Sequence, residues 1–197
     1  MDAKIATDIP YLNQILARTE ALRYGHYPMN SELQKLTLAG KLSPADAEKL
    51  SKLEPGAACK HKSWGLGRVT EWDLLGDRII IDFETKAGHS MKLGFAAETL
   101  AHLDADHILS RRVTDLPTLQ KMAKEKPAEL VELALRSNGN TIFLDELEKM
   151  LAGKVVTTDY KKWWDAAKKE LKTARHIVVP TKRVDAMTLR SQDSKPS

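Results

Sequence analysis

A single cysteine, only three phenylalanines and no apolar run of membrane-spanning length mark this 197-residue chain by what it lacks. One thiol, Cys59, excludes an intrachain disulfide and makes a reducing cytosol the natural compartment. It reads as a small residue packed in a strand, because no partnering His–Asp pattern surrounds it to make it reactive. No stretch reaches the roughly 20 apolar residues of a membrane span. The N-terminal MDAKIATDIPYLNQIL has neither the basic n-region nor the apolar h-region of a secretion signal. The chain is expected to be cytoplasmic and to have no membrane partner.

Reactive constellations are missing as well. No Ser–His–Asp order and no isolated carboxylate pair stands out. The six histidines are scattered, and His102 and His107 miss the three- or four-residue spacing that puts two ligands on one helical face. Gly65 and Gly67 lack the third glycine and the following helix of a dinucleotide loop, and no Lys-Ser/Thr ending makes a P-loop. We therefore expect no enzyme, no metal and no cofactor.

What the chain does have is ordinary globular composition, 42% hydrophobic and 29% charged. Its formal net charge is +4. Residues 1–110 carry 13 Lys/Arg against 15 Asp/Glu, residues 111–153 carry 7 against 7, and residues 154–197 carry 11 against 5. The positive excess thus sits at the C-terminal end, where a polyanion or an acidic protein face would be drawn first.

Helical periodicity dominates residues 1–54. A helix starts near Asp8 and Pro10 and stops at Gly25; a second runs from Asn30 or Ser31 to Gly40. Ser43-Pro44 caps a third, which has Asp46 in its first turn. From Pro55 the period becomes extended. Ala57–His61, Arg68–Trp72, Arg78–Phe83 and Ser90–Leu93 are candidate strands, with turns at Leu75-Gly76-Asp77 and Ala87-Gly88-His89 and a short helix over Ala96–Leu103. Strands this short suit a small coiled sheet of the SH3-like barrel kind, over residues 55–103. Residues 104–190 return to helix, ending in a basic, tryptophan-rich one over Tyr160–Thr173 and a short strand at Ile177–Pro180. Residues 191–197 are too polar to bury anything. The predicted class is α+β, a small β-barrel flanked by helical segments.

The barrel segment resembles the Tudor-like domains of the CarD and transcription-repair-coupling group and the module that ends some UvrD-type helicases. The matching residues are Gly56, His61, the Trp64-Gly65-Leu66-Gly67 turn, Arg68–Trp72 and Ile79-Ile80-Ile81-Asp82-Phe83. In those families the module docks on RNA polymerase or nucleic acid. The whole order, ending in Tyr160-Lys161-Lys162-Trp163-Trp164 with Lys168-Lys169, resembles the N-terminal region of unusually long Gre-type transcription elongation factors. Gre factors cleave transcripts through acidic residues at the tip of a coiled coil. No such hairpin is expected here, and Asp145, Glu146 and Glu148 read as the polar face of a short helix.

Two surfaces follow. The first is a partner-binding set on the barrel, Trp64, Gly65, Gly67, Arg68 and Trp72, where Trp64 on a turn would anchor RNA polymerase or another transcription protein. The second is a basic set, Lys161, Lys162, Lys168, Lys169, Lys172 and Arg175, suited to the phosphate backbone of DNA or RNA. Arg183, Lys182 and Arg190 would enlarge it if the chain folds back. The leading expectation is a non-catalytic transcription module docking through the barrel. The alternative is direct, sequence-nonspecific nucleic-acid binding through the basic helix.

Overall fold

A computed structural model describes residues 29–190. The expected first helix and the polar tail lie outside the described residues. Helix α1 (Met29–Leu38) is followed by α2 (Pro44–Ser51), whose start is built as the residues imply. The Ser43 hydroxyl accepts the Asp46 N–H at 3.1 Å, and Pro44 occupies a first-turn position where its missing N–H costs nothing.

Leu33, Leu50 and Leu53 from this region are buried together with Val69, Ile79, Ile81 and Leu93 of the next. That core belongs to an antiparallel sheet of β1 (Ala58–His61), β2 (Gly65–Asp73), β3 (Arg78–Phe83), β4 (Lys86–Lys92) and β5 (Leu100–Leu103), in the order β4-β3-β2-β1-β5. Alternation in β3 is the clearest: Ile79, Ile81 and Phe83 are buried, whereas Arg78 and Asp82 are exposed.

The sheet does not close into the expected barrel. β4 and β5 form the two edges of the sheet, with no ladder between them. Helix α3 (Leu93–Thr99) occupies the interval and buries Leu93, Ala96 and Ala97. The helix expected over Ala96–Leu103 therefore divides. Its second half becomes β5, pairing Leu100 with His61 and Leu103 with Ala58. The turn expected at Ala87-Gly88-His89 instead falls at Glu84-Thr85. Gly88 lies inside β4 at φ +63°, where pairing with β3 is irregular, and its N–H donates to Asp82 Oδ1 at 2.6 Å.

A second core gathers the remaining elements: α4 (Ile108–Thr114), α5 (Leu116–Glu125), α6 (Pro127–Ser137), β6 (Thr141–Phe143), α7 (Leu144–Leu151), α8 (Tyr160–Leu171), β7 (Ile177–Val178) and β8 (Ala186–Leu189). The three short strands pair antiparallel in the order β6-β8-β7. Arg112 joins the two halves. Its Nε and Nη2 donate to both carboxylate oxygens of Glu84, at 3.0 and 2.7 Å, and its Nη1 donates to the Met150 carbonyl at 2.8 Å.

Candidate functional site

The basic cluster is built on α8. Asp159 caps it by accepting the Lys162 N–H at 2.8 Å. The spacing of apolar residues then decides which side faces inward. Ala167 and Leu171 are buried, and Tyr160, Trp163 and Trp164 are half-buried against the second core. The Trp163 indole N–H donates to the Ala123 carbonyl at 2.8 Å, so this tryptophan is structural.

Helical geometry divides the six predicted basic residues between two faces. Lys162 and Lys169 lie directly opposite the buried residues and are exposed. Lys161, Lys168 and Lys172 share one flank with Trp164, and Arg175 follows just past the helix end. Among the described residues, only Lys168 of the six forms an ion pair, 2.8 Å from Asp165. That hydrogen bond, then the charge of Lys168, holds the Asp165 carboxyl below the ordinary carboxylate range.

The flank faces the connection between β7 and β8. Two adjoining cavities of about 230 and 360 Å3 share Lys168, Val179, Pro180 and Thr181 and together make one groove along α8. Arg183 lies on the far rim, where it donates to Asp145 at 2.6 Å and Glu148 at 3.1 Å. Those carboxylates, Asp145 foremost, push its pKa further up. Burial and the neighbouring Glu148 raise the Tyr160 phenol well above its usual range. The wall of this groove, Val179-Pro180-Thr181, overlaps the short extended piece expected at Ile177–Pro180. The strand over Ala186–Leu189 was not expected, being too short a run to announce itself, and it follows the loop that brings Arg183 to the rim.

The barrel set is dispersed by the structure. Trp72 is half-buried and donates its indole N–H to the Leu53 carbonyl at 2.8 Å, tying the sheet to the segment that follows α2. Gly67 is buried against Phe83 and Ile81, and Gly65 opens β2 at φ +75°. Arg68 is exposed on the outer face opposite Asp82. Trp64 is half-buried between two imidazoles, stacked on His61 at 4.2 Å and tilted against His89 at 3.9 Å. Burial, then Lys86 and His61, lowers the His89 pKa. His61 is only 5% exposed. Its Nδ1 accepts the N–H of Ser63 and of Trp64, so the ring shapes the turn that presents the tryptophan. Phe95, 46% exposed and 6.2 Å from the His61 ring, extends the same aromatic group. Nothing in the local pattern around Leu93–Thr99 marked it as exposed.

Among the described residues no group of three or more His, Cys, Asp or Glu could hold a metal, and no helix is long and apolar enough to cross a membrane.

In the C-terminal half α8 packs on α6, and the β7–β8 pair lies beside α8 as a wing. Residues 109–194 match the family described as the GRAD helix-turn-helix domain. The chain is 30% identical over 59% of its length to "Transcription elongation factor GreA" of Chlamydia pneumoniae, covering 16% of that protein. It is 25% identical over 74% of its length to "Putative GreA-associated domains protein" of Treponema pallidum, covering 22%. It is 24% identical over 62% to "Transcription elongation factor GreA" of Chlamydia trachomatis, covering 17%. The chain is thus similar to a region of Gre-type factors, as its motifs implied, and spans about a fifth of the relatives it matches. No solved structure matches it.

Proposed function

We propose that the chain is a non-catalytic module of the transcription machinery that contacts nucleic acid through the phosphate backbone, using α8 of its helix-turn-helix unit. One observation carries this reading: a helix anchored inward by tryptophans leaves Lys161, Lys162, Lys169 and Lys172 exposed and without an ion pair among the described residues. Cations that neutralise phosphates release condensed counterions, so affinity falls steeply with salt and carries little sequence information. Relatives named as elongation factors supply the transcription context.

Fluorescence anisotropy with labelled DNA and RNA across a salt series tests it. A steep fall of affinity with salt is expected. The combined variant K161Q/K172Q/R175Q should lower the slope of log affinity against log salt by roughly 2, at about 0.7–0.9 for each phosphate left without its cation. No binding at low salt, or a slope unaltered in the variant, would refute the reading.

A second reading concerns the other half. Trp64, His89 and exposed Phe95 make an aromatic group at one end of the β1–β5 sheet, suited to dock RNA polymerase or another transcription protein. Capture of core polymerase by immobilised chain should drop on combining W64A with F95A while nucleic-acid affinity stays constant. Undiminished capture would remove the aromatic group as the docking surface.

A further inference from the structure

We propose that the groove between α8 and the β7–β8 connection seats an unpaired nucleobase on the Trp164 ring, so that the chain takes single-stranded nucleic acid in preference to duplex. The inference rests on the nucleic-acid reading above and adds the class of strand.

Three observations carry it. Trp164 is half-buried yet lines the groove with Val179 and Pro180, which makes an aromatic and apolar floor. Unlike Trp163, whose indole N–H is spent on Ala123, Trp164 has no hydrogen bond among the described residues that would explain an amphipathic ring at this position. The rim carries Lys168, Lys172, Arg175 and Arg183. Lys168 is paired with Asp165 and Arg183 with Asp145 and Glu148, whereas Lys172 and Arg175 have no ion pair among the described residues and leave that end of the groove cationic.

A stacking platform inside a positive channel serves a flexible strand, whose bases can turn onto the ring while its phosphates track the lysines. In a duplex the base faces are already stacked on one another, so the ring would have nothing to receive. Spacing supports the same order. Lys161 and Lys168 flank Trp164 on one side of the helix, at the three- and four-residue steps that place neighbours on a common line.

Anisotropy titrations of the full chain with labelled oligothymidylate and with a duplex of equal length decide the matter. We expect tighter binding of the single strand. W164A should weaken that binding roughly tenfold, as removal of one base–aromatic stack does, with W164F retaining most of it and duplex affinity unchanged. Should the alanine variant fail to fold by circular dichroism, W164L keeps the apolar bulk without a ring face and is expected to show the same weakening. Equal effects of W164A on both ligands, or a preference for duplex, would overturn the inference and leave the backbone-contact reading standing. Absence of binding to either nucleic acid would remove both. Binding of polyglutamate in their place would assign the groove to an acidic protein segment and overturn the inference too.

Discussion

Trp163→Phe isolates one hydrogen bond that the chain needs because of a proline. Helix α5 ends at Glu125, and the carbonyl of Ala123 would ordinarily accept the N–H four residues on. That residue is Pro127, which has no N–H to donate. The Trp163 indole supplies the missing donor from α8 at 2.8 Å, forty residues away. Replacing it with phenylalanine keeps an aromatic ring against the core and deletes only the donor. The carbonyl is then left without a protein partner in a half-buried place, which costs about 1–2 kcal/mol. For a unit of this size that corresponds to a fall in Tm on the order of 5–10 °C. Urea and thermal unfolding followed by circular dichroism give the magnitude. Hydrogen exchange gives the location, since protection should drop in α5, α6 and α8 and not in β1–β5. Trp164→Phe is the control, because it removes no such hydrogen bond, and should change stability by less than about 0.5 kcal/mol. Equal stability of the two variants would refute the reasoning, as would a destabilisation spread evenly over both cores.

Gly67→Ala should destabilise the sheet by about 1–3 kcal/mol, because the added Cβ would come within 2.6 Å of Phe83 Cδ1 and 2.8 Å of Ile81 Cγ2; an unchanged denaturation midpoint would contradict that packing. Glu132 carries a carboxyl held below its usual range, first by the hydrogen bond from His176 and then by Arg136. A depressed folded pKa stabilises above the unfolded value near 4.3, and that stability disappears as pH falls through the lower folded value. Stability of the C-terminal unit should therefore decline on acidification through that window, and Glu132→Gln should flatten the decline. An unaltered pH profile in the variant would count against the pair. Burial pushes the Cys59 thiol up to about 12, so alkylation at neutral pH should be slow in the native chain and fast in denaturant; rapid native labelling would show the thiol accessible.

Local chemistry made several elements legible. Ser43-Pro44 with Asp46 located the start of α2, the Ile79-Ile80-Ile81 run located β3, and Asp159 before Tyr160 located α8. Each is set by neighbours within a turn or by one residue's reach, which is information a linear pattern holds. The resemblance to Gre-type factors was readable for the same reason, since turn glycines and aromatic spacings are local marks.

Partner choice across long separations was not legible. Leu100–Leu103 becomes a strand only because β1 offers it a ladder; taken alone it continues a helix. The sheet stays open: β4 and β5 are its edges, and the chain between them forms α3, which buries Leu93, Ala96 and Ala97. Composition and periodicity determined an α+β chain with a cationic, tryptophan-bearing helix near its end. Only tertiary packing decided which flank of that helix meets the wing: Lys161, Lys168 and Lys172 share one side with Trp164, whereas Lys162 and Lys169 face open solvent. A helix carries its side chains at fixed angles, but what lies across from each angle is set by segments far along the chain.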